Sequence, residues 1–138
     1  MKTRITWLED MSYVARSASG HALVLDGPPE LGGRNLGPRP MELLLMGMGG
    51  CTAVDVVHIL RKARQDVRGC ELEVEAERAD ADPKVFTRIR VHFVLTGKAL
   101  SAKHVERAIE LSAEKYCSAS IMLGKTAQIA HTFEIRDA

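Results

Sequence analysis

Hydrophobic and polar residues alternate in three short runs at the start of the chain: Thr3, Ile5 and Trp7, then Tyr13 and Ala15, then residues 21–25, with turns at 8–11 and at Gly20. Period-two alternation between turn residues predicts a three-stranded β-meander. Residues 26–40, DGPPELGGRNLGPRP, follow as a Gly/Pro-rich loop, and a connection of that length in a compact domain is more often functional than idle. Pro40 suits a first helical turn, so PMELLLMGM predicts a helix that Gly49 and Gly50 break or kink. A second helix then starts near Cys51 and runs to about Ala63 or beyond.

Strict alternation returns at 69–76, with Cys70, Leu72, Val74 and Ala76 on one face, and again at 85–97 through Ile89, Val91, Phe93 and Leu95. The acidic turn between these runs predicts an antiparallel hairpin. Ser101 caps a helix whose positions Val105, Ala108, Ile109, Ser112 and Tyr116 recur at helical spacing, and Cys117 sits at its end. A short apolar segment at 118–123 stops at Gly124, read as a C′ residue, and residues 128–135 form a last strand. Strands and helices in separate blocks predict an α+β fold, with one domain spanning 1–138.

The helix after the glycines carries more apolar surface than one small domain can cover. Placed at 100° per residue, Ala53, Val54, Val56, Val57, Ile59, Leu60 and Ala63 span roughly 220° of the circumference, against ~100° for a surface helix. That arc predicts burial on most sides, with a second subunit in a C2 dimer supplying part of the cover. The narrow stripe left over holds Cys51, Asp55, His58 and Lys62.

Cys51 therefore lies among polar residues and not among the valines, which leaves two readings open: a thiol facing a cleft, or one incidental cysteine on a solvated face. His58 is no base for it, because seven residues at ~1.5 Å rise put the two about 10 Å apart along the axis. A helix start at Cys51 would stabilise a thiolate through free N–H groups, and Cys117 opens the segment before Gly124 in the same way. Cys70, on the apolar face of its strand, reads as core packing. The tail LGKT at 123–126 lacks the first glycine of a P-loop.

Net charge is +1 and no long block of like charge occurs, so the composition offers no nucleic-acid footprint. No leader-like h-region or membrane-length apolar run is read at this stage, so no membrane partner and a cytoplasmic location are expected. Three cysteines, Cys51, Cys70 and Cys117, without CxxC spacing, predict free thiols and no metal site.

SASGH, PMELLLMGMGGCTAVDVV, RQDVRGCELEVEAER and LSAEKYCSASIML together resemble the OsmC/Ohr family of osmotically induced and organic-hydroperoxide-resistance proteins, nearest to its YhfA-like subgroup. The resemblance runs over essentially the whole chain. It implies antiparallel β-sheets wrapped around central helices in an intertwined homodimer, with sites at the subunit interface. It further implies thiol-dependent reduction of organic hydroperoxides in oxidative-stress defence, with Cys51 peroxidatic and Cys117 resolving, through a sulfenic acid and then a disulfide. A dithiol, either a small thiol or a lipoylated protein, would restore the pair, and no cofactor is implied.

Two positions depart from the family pattern. Its glutamate ten residues before the first cysteine falls on Met41, while Glu42 is one residue later and about 100° round a helix. Its N-terminal arginine has no counterpart in WLEDMS, leaving Arg34 and Arg39, then Arg16, as candidates. These departures motivate an alternative: a non-enzymatic redox-sensing or small-ligand-binding dimer with weak or no peroxidase activity. A purely structural dimer is a third reading. Leu44, Leu45, Met46 and Met48 would favour an alkyl or lipid hydroperoxide over hydrogen peroxide.

Overall fold

The computed structural model describes residues 1–138, which divide into two units, residues 1–46 and 47–138. In the first unit β1 (Thr3–Glu9), β2 (Ser12–Ser17) and β3 (Ala22–Asp26) form the expected antiparallel meander in the order β1-β2-β3. The loop after β3 is held against that sheet. Asp26 is buried and its Oδ2 accepts the backbone N–H groups of Arg34 at 3.0 Å and Leu36 at 3.2 Å. Two glycines permit the close path: a Cβ at Gly33 would lie 1.8 Å from the Gly27 carbonyl oxygen, and one at Gly37 would lie 2.1 Å from that of Val24.

The loop ends at α1 (Pro40–Lys62), a single continuous helix of 23 residues. The predicted break at Gly49 and Gly50 does not occur. Each helical glycine costs about 1 kcal/mol relative to alanine, too little to interrupt a run flanked by Leu43–Leu45 on one side and Val54–Leu60 on the other. None of Gly47, Gly49 and Gly50 adopts a positive φ. Gly49 is buried, and its bare backbone admits Val74 on the neighbouring sheet, whose Cγ2 would lie 3.3 Å from an added Cβ. The continuous α1 also has the length and composition of a membrane span, where the sequence pattern was expected to offer no membrane-length apolar run.

In the second unit β4 (Asp66–Arg78), β5 (Phe86–Lys98) and β6 (Gln128–Asp137) form a sheet in the order β4-β5-β6. β4 and β5 make the predicted antiparallel hairpin, with Cys70 opposite Leu95 and Val74 opposite Val91. β6 pairs parallel to β5, so the sheet is mixed. A parallel return requires a crossover, which α2 (Ala102–Leu111) and α3 (Ser118–Leu123) supply. The central strand is the spine of the core: Phe86, Ile89, Val91, Phe93 and Leu95 are buried, whereas the inward residues of β4 and β6 are half-buried.

Helix burial follows the same economy. Within the second unit α1 buries a stripe of Met48, Thr52, Val56 and Leu60, spaced four apart, together with Gly49. Val54 stands 70% exposed, so one chain covers less of this helix than its apolar arc calls for. α2 buries Val105, Ala108 and Ile109 and is capped by Ser101, whose side chain accepts the N–H of His104. Tyr116, grouped with that face by spacing, is exposed instead, because the helix changes pitch before reaching it.

Candidate functional site

That change of pitch builds the site. Between α2 and α3 the chain makes a π turn (Ser112–Tyr116), closed by the N–H of Cys117 donating to the Ser112 carbonyl at 2.8 Å. A π turn accommodates one more residue than an α turn and is frequent at functional positions. Here it leaves Ser112 buried and hands Cys117, also buried, to the start of α3 in an extended conformation.

Cys117 is the N-cap of α3. Its Sγ accepts the Ser120 backbone N–H at 3.3 Å and the Ser120 hydroxyl at 3.0 Å. Burial pushes the Cys117 thiol up, the two Ser120 bonds pull it down, and nearby Cys51 adds to the rise, leaving the net shift upward. The predicted helix-start setting is therefore present at Cys117, but desolvation outweighs it. At Cys51 the setting is absent. Cys51 lies in the interior of α1, so the expected stabilisation by a helix N-terminus does not act on it.

The structure brings Cys51 and Cys117 together. The two sulfurs and a carboxylate oxygen of Asp55 lie within 4.8 Å of one another. Cys51 and Asp55 are half-buried and share a face of α1 by their four-residue spacing. Asp55 is held in place by hydroxyls: Ser112 Oγ donates to its Oδ2 at 3.1 Å, and Thr52 Oγ1 lies 2.8 Å from Ser112 Oγ. Because the Ser112 proton goes to Asp55, Thr52 must donate to Ser112, and the relay runs Thr52 to Ser112 to Asp55. Beside it Asp55, His58, Ile59, Lys62, Leu111 and Tyr116 line a pocket of about 430 Å³. His58 is exposed in that pocket and is not a partner of Cys51, as the spacing required.

The other sequence-predicted residues have different partners. Arg34 pairs with Glu9 at 2.7 Å and Asp10 at 3.2 Å, and Arg39 donates to Asn35 Oδ1 and the Gly37 carbonyl, both at 3.1 Å. Arg16 is exposed on β2 opposite Arg4. All these contacts stay inside the first unit. Glu42 accepts the Arg39 backbone N–H at 2.8 Å, the reach-back bond of a capping box, so its carboxylate serves the N-terminus of α1. Cys70 is half-buried on β4, where burial raises its thiol.

Sequence reasoning singled out Asp55 only as a stripe member and missed Ser112, Thr52 and Ser120 as site residues. The i, i+4 spacing of Cys51 and Asp55 and the Cys-x-x-Ser cap at 117–120 were the available signals.

The family model described as OsmC-like protein matches residues 32–132. The chain belongs to this OsmC family. Protein YhfA of Escherichia coli K12 is 45% identical over 135 residues, 98% of each chain, and Protein YhfA of Shigella flexneri matches equally. Among solved structures, a hypothetical protein from Aquifex aeolicus VF5 is similar with a TM-score of 0.88 and 27% identity, covering 99% of this chain and 96% of that one. The organic hydroperoxide resistance protein OhrB of Bacillus subtilis shares the fold with a TM-score of 0.64 at 17% identity, over 97% of this chain and 98% of that one. The α+β fold is thus the OsmC-like fold, and its structural relatives include hydroperoxide-resistance proteins.

Proposed function

We propose that this OsmC-family chain reduces organic hydroperoxides by a two-cysteine mechanism, in a reducing compartment such as the cytoplasm. The single observation that supports it best is the meeting of Cys51 and Cys117, distant in sequence, within 4.8 Å. The Cys51 thiolate attacks the distal peroxide oxygen, the O–O bond breaks, and the alkoxide takes a proton to leave as an alcohol. Cys51 is then a sulfenic acid. Cys117 displaces its hydroxyl as water, forming the disulfide, for which the sulfurs must close from within 4.8 Å to the bond length of about 2.05 Å. A dithiol reduces this disulfide by exchange and becomes a disulfide itself. The accessible member of the pair is the half-buried Cys51, and the buried, high-pKa Cys117 is suited to the later step.

Substrate enters through the pocket that shares Asp55 with the thiol cluster. A homodimer completes the fold by covering the exposed apolar residues of α1, among them Val54. With a dithiol supplied, purified protein should consume cumene hydroperoxide over many turnovers. Cys51→Ser should abolish this consumption, and Cys117→Ser, assayed without the dithiol, should consume one equivalent and hold Cys51 as a sulfenic acid. Unchanged turnover in the Cys51 variant would sink the mechanism.

A second reading has its own support: no basic side chain hydrogen-bonds or ion-pairs with Asp55, and Arg34 and Arg39 each have partners within the first unit. On that reading the dithiol is a slow redox sensor, oxidised once by peroxide without sustained turnover. The same assay separates the two.

A further inference from the structure

We propose that the reduced protein binds one thiophilic divalent cation of the zinc class per chain, through Cys51, Cys117 and Asp55. Three anionic-capable groups converge within 4.8 Å, and no basic side chain hydrogen-bonds or ion-pairs with Asp55. The donor set, two sulfurs and one carboxylate oxygen, is one that zinc uses, at about 2.3 Å to sulfur and 2.0–2.2 Å to oxygen. Sulfurs on a tetrahedral ion stand about 3.8 Å apart by those bond lengths. Ligand atoms within 4.8 Å therefore need to close by at most about 1 Å.

The surrounding bonds suit a metal site. Ser112 orients the Asp55 carboxylate, the role outer partners play around bound metals. The Ser120 N–H and O–H both point at the Cys117 sulfur, where they stabilise a thiolate once a cation has displaced its proton. Three protein ligands leave a fourth position for water or a small thiol, and Asp55 also lines the neighbouring pocket. Binding converts two thiols and one cation into two metal-bound thiolates and releases up to two protons. A disulfide between Cys51 and Cys117 has no thiolate to offer, so oxidation and cation binding exclude each other. Sequence spacing pairs only Cys51 with Asp55, because Cys117 arrives through the fold and not through a local motif.

The test is zinc titration of reduced protein against a chromophoric chelator, repeated with cobalt to look for sulfur-to-metal charge-transfer absorption. One equivalent should bind, with the cobalt band present. Cys51→Ser and Cys117→Ser each keep one sulfur and should at least halve the band, and Asp55→Asn should bind at least tenfold more weakly, the scale on which metal-site substitutions act. Alkylation of wild type read by mass spectrometry keeps the test independent of variant folding: zinc should protect Cys51 and leave Cys70, outside the cluster, unprotected. Absence of binding, wild-type affinity in Asp55→Asn, or equal protection of Cys70 would overturn the site. No peroxide enters these measurements, so their failure leaves the peroxidase reading standing, and the converse holds.

Discussion

Asp26 and Asp55, one in each unit, are both shielded aspartates, yet their donors differ in kind. Asp26 is buried and its Oδ2 takes two backbone N–H groups from the loop it anchors. Asp55 is half-buried and accepts one hydroxyl hydrogen bond, from Ser112, which in turn accepts from Thr52. Backbone donors are fixed by the path of the chain, so the oxygen they saturate is committed to structure, while Oδ1 of Asp26 is buried without a partner. Hydroxyl donors rotate, and the carboxylate they hold keeps an open side toward two thiols. The number and kind of donors thus separate a structural acid from one available to chemistry.

Three substitutions sharpen this contrast, from the largest effect to the smallest. Ser112→Ala removes the only side-chain donor to Asp55 and the acceptor of Thr52, leaving buried polar groups unpaired at about 1–3 kcal/mol. Thermal or urea unfolding should show that loss, and an unchanged midpoint would mean that water replaces the serine without cost. Ser120→Ala deletes one of two bonds to the Cys117 sulfur, a net effect of about 0.5–1.5 kcal/mol. The Cys117 thiol should then rise further, slowing disulfide closure several-fold at neutral pH in stopped-flow traces, with the rate recovered in alkali.

Asp26→Asn should act mainly in acid. Burial pushes the Asp26 carboxyl up, but the N–H bonds from Arg34 and Leu36, the nearby Gly27 N–H and the Arg39 charge outweigh it, so its folded pKa lies below the ordinary 3.8. A depressed folded pKa contributes stability above the unfolded value and loses it as pH falls through the folded one. Proteolysis of the loop at 27–39 should therefore accelerate below about pH 3.9 in wild type. The asparagine variant, without the carboxylate, should show a faster but pH-independent rate there.

The two sheets were legible because alternation is a local signal: Thr3 to Leu25 and Cys70 to Leu95 carry their facing in their own spacing. The parallel docking of β6 was not, since its alternation is equally compatible with either direction. The glycines misled for a different reason. Their penalty is local, but whether a helix survives it depends on neighbours, and Gly49 is retained where Val74 needs the space. At the site, the stripe containing Cys51 and Asp55 was readable from angle alone. Its union with Cys117 was supplied at that stage only by family resemblance, and the roles of Ser112 and Ser120 depend on a turn that no periodicity announces. Arg34, Arg39 and Glu42 were nominated as stand-ins for the arginine and glutamate that the family pattern implies, and each has a local electrostatic or capping partner.

The π turn at Ser112–Tyr116 has one more consequence. It works as a length standard: deleting a single residue there, Ala113 for instance, would let the segment relax to ordinary α-helical winding. Everything downstream would then rotate by about 100° and shift by about 1.5 Å. Cys117 would leave the neighbourhood of Cys51 while composition, charge and both cysteines stayed the same. The pairing of the two sulfurs is written in the spacing of the chain as much as in its chemistry.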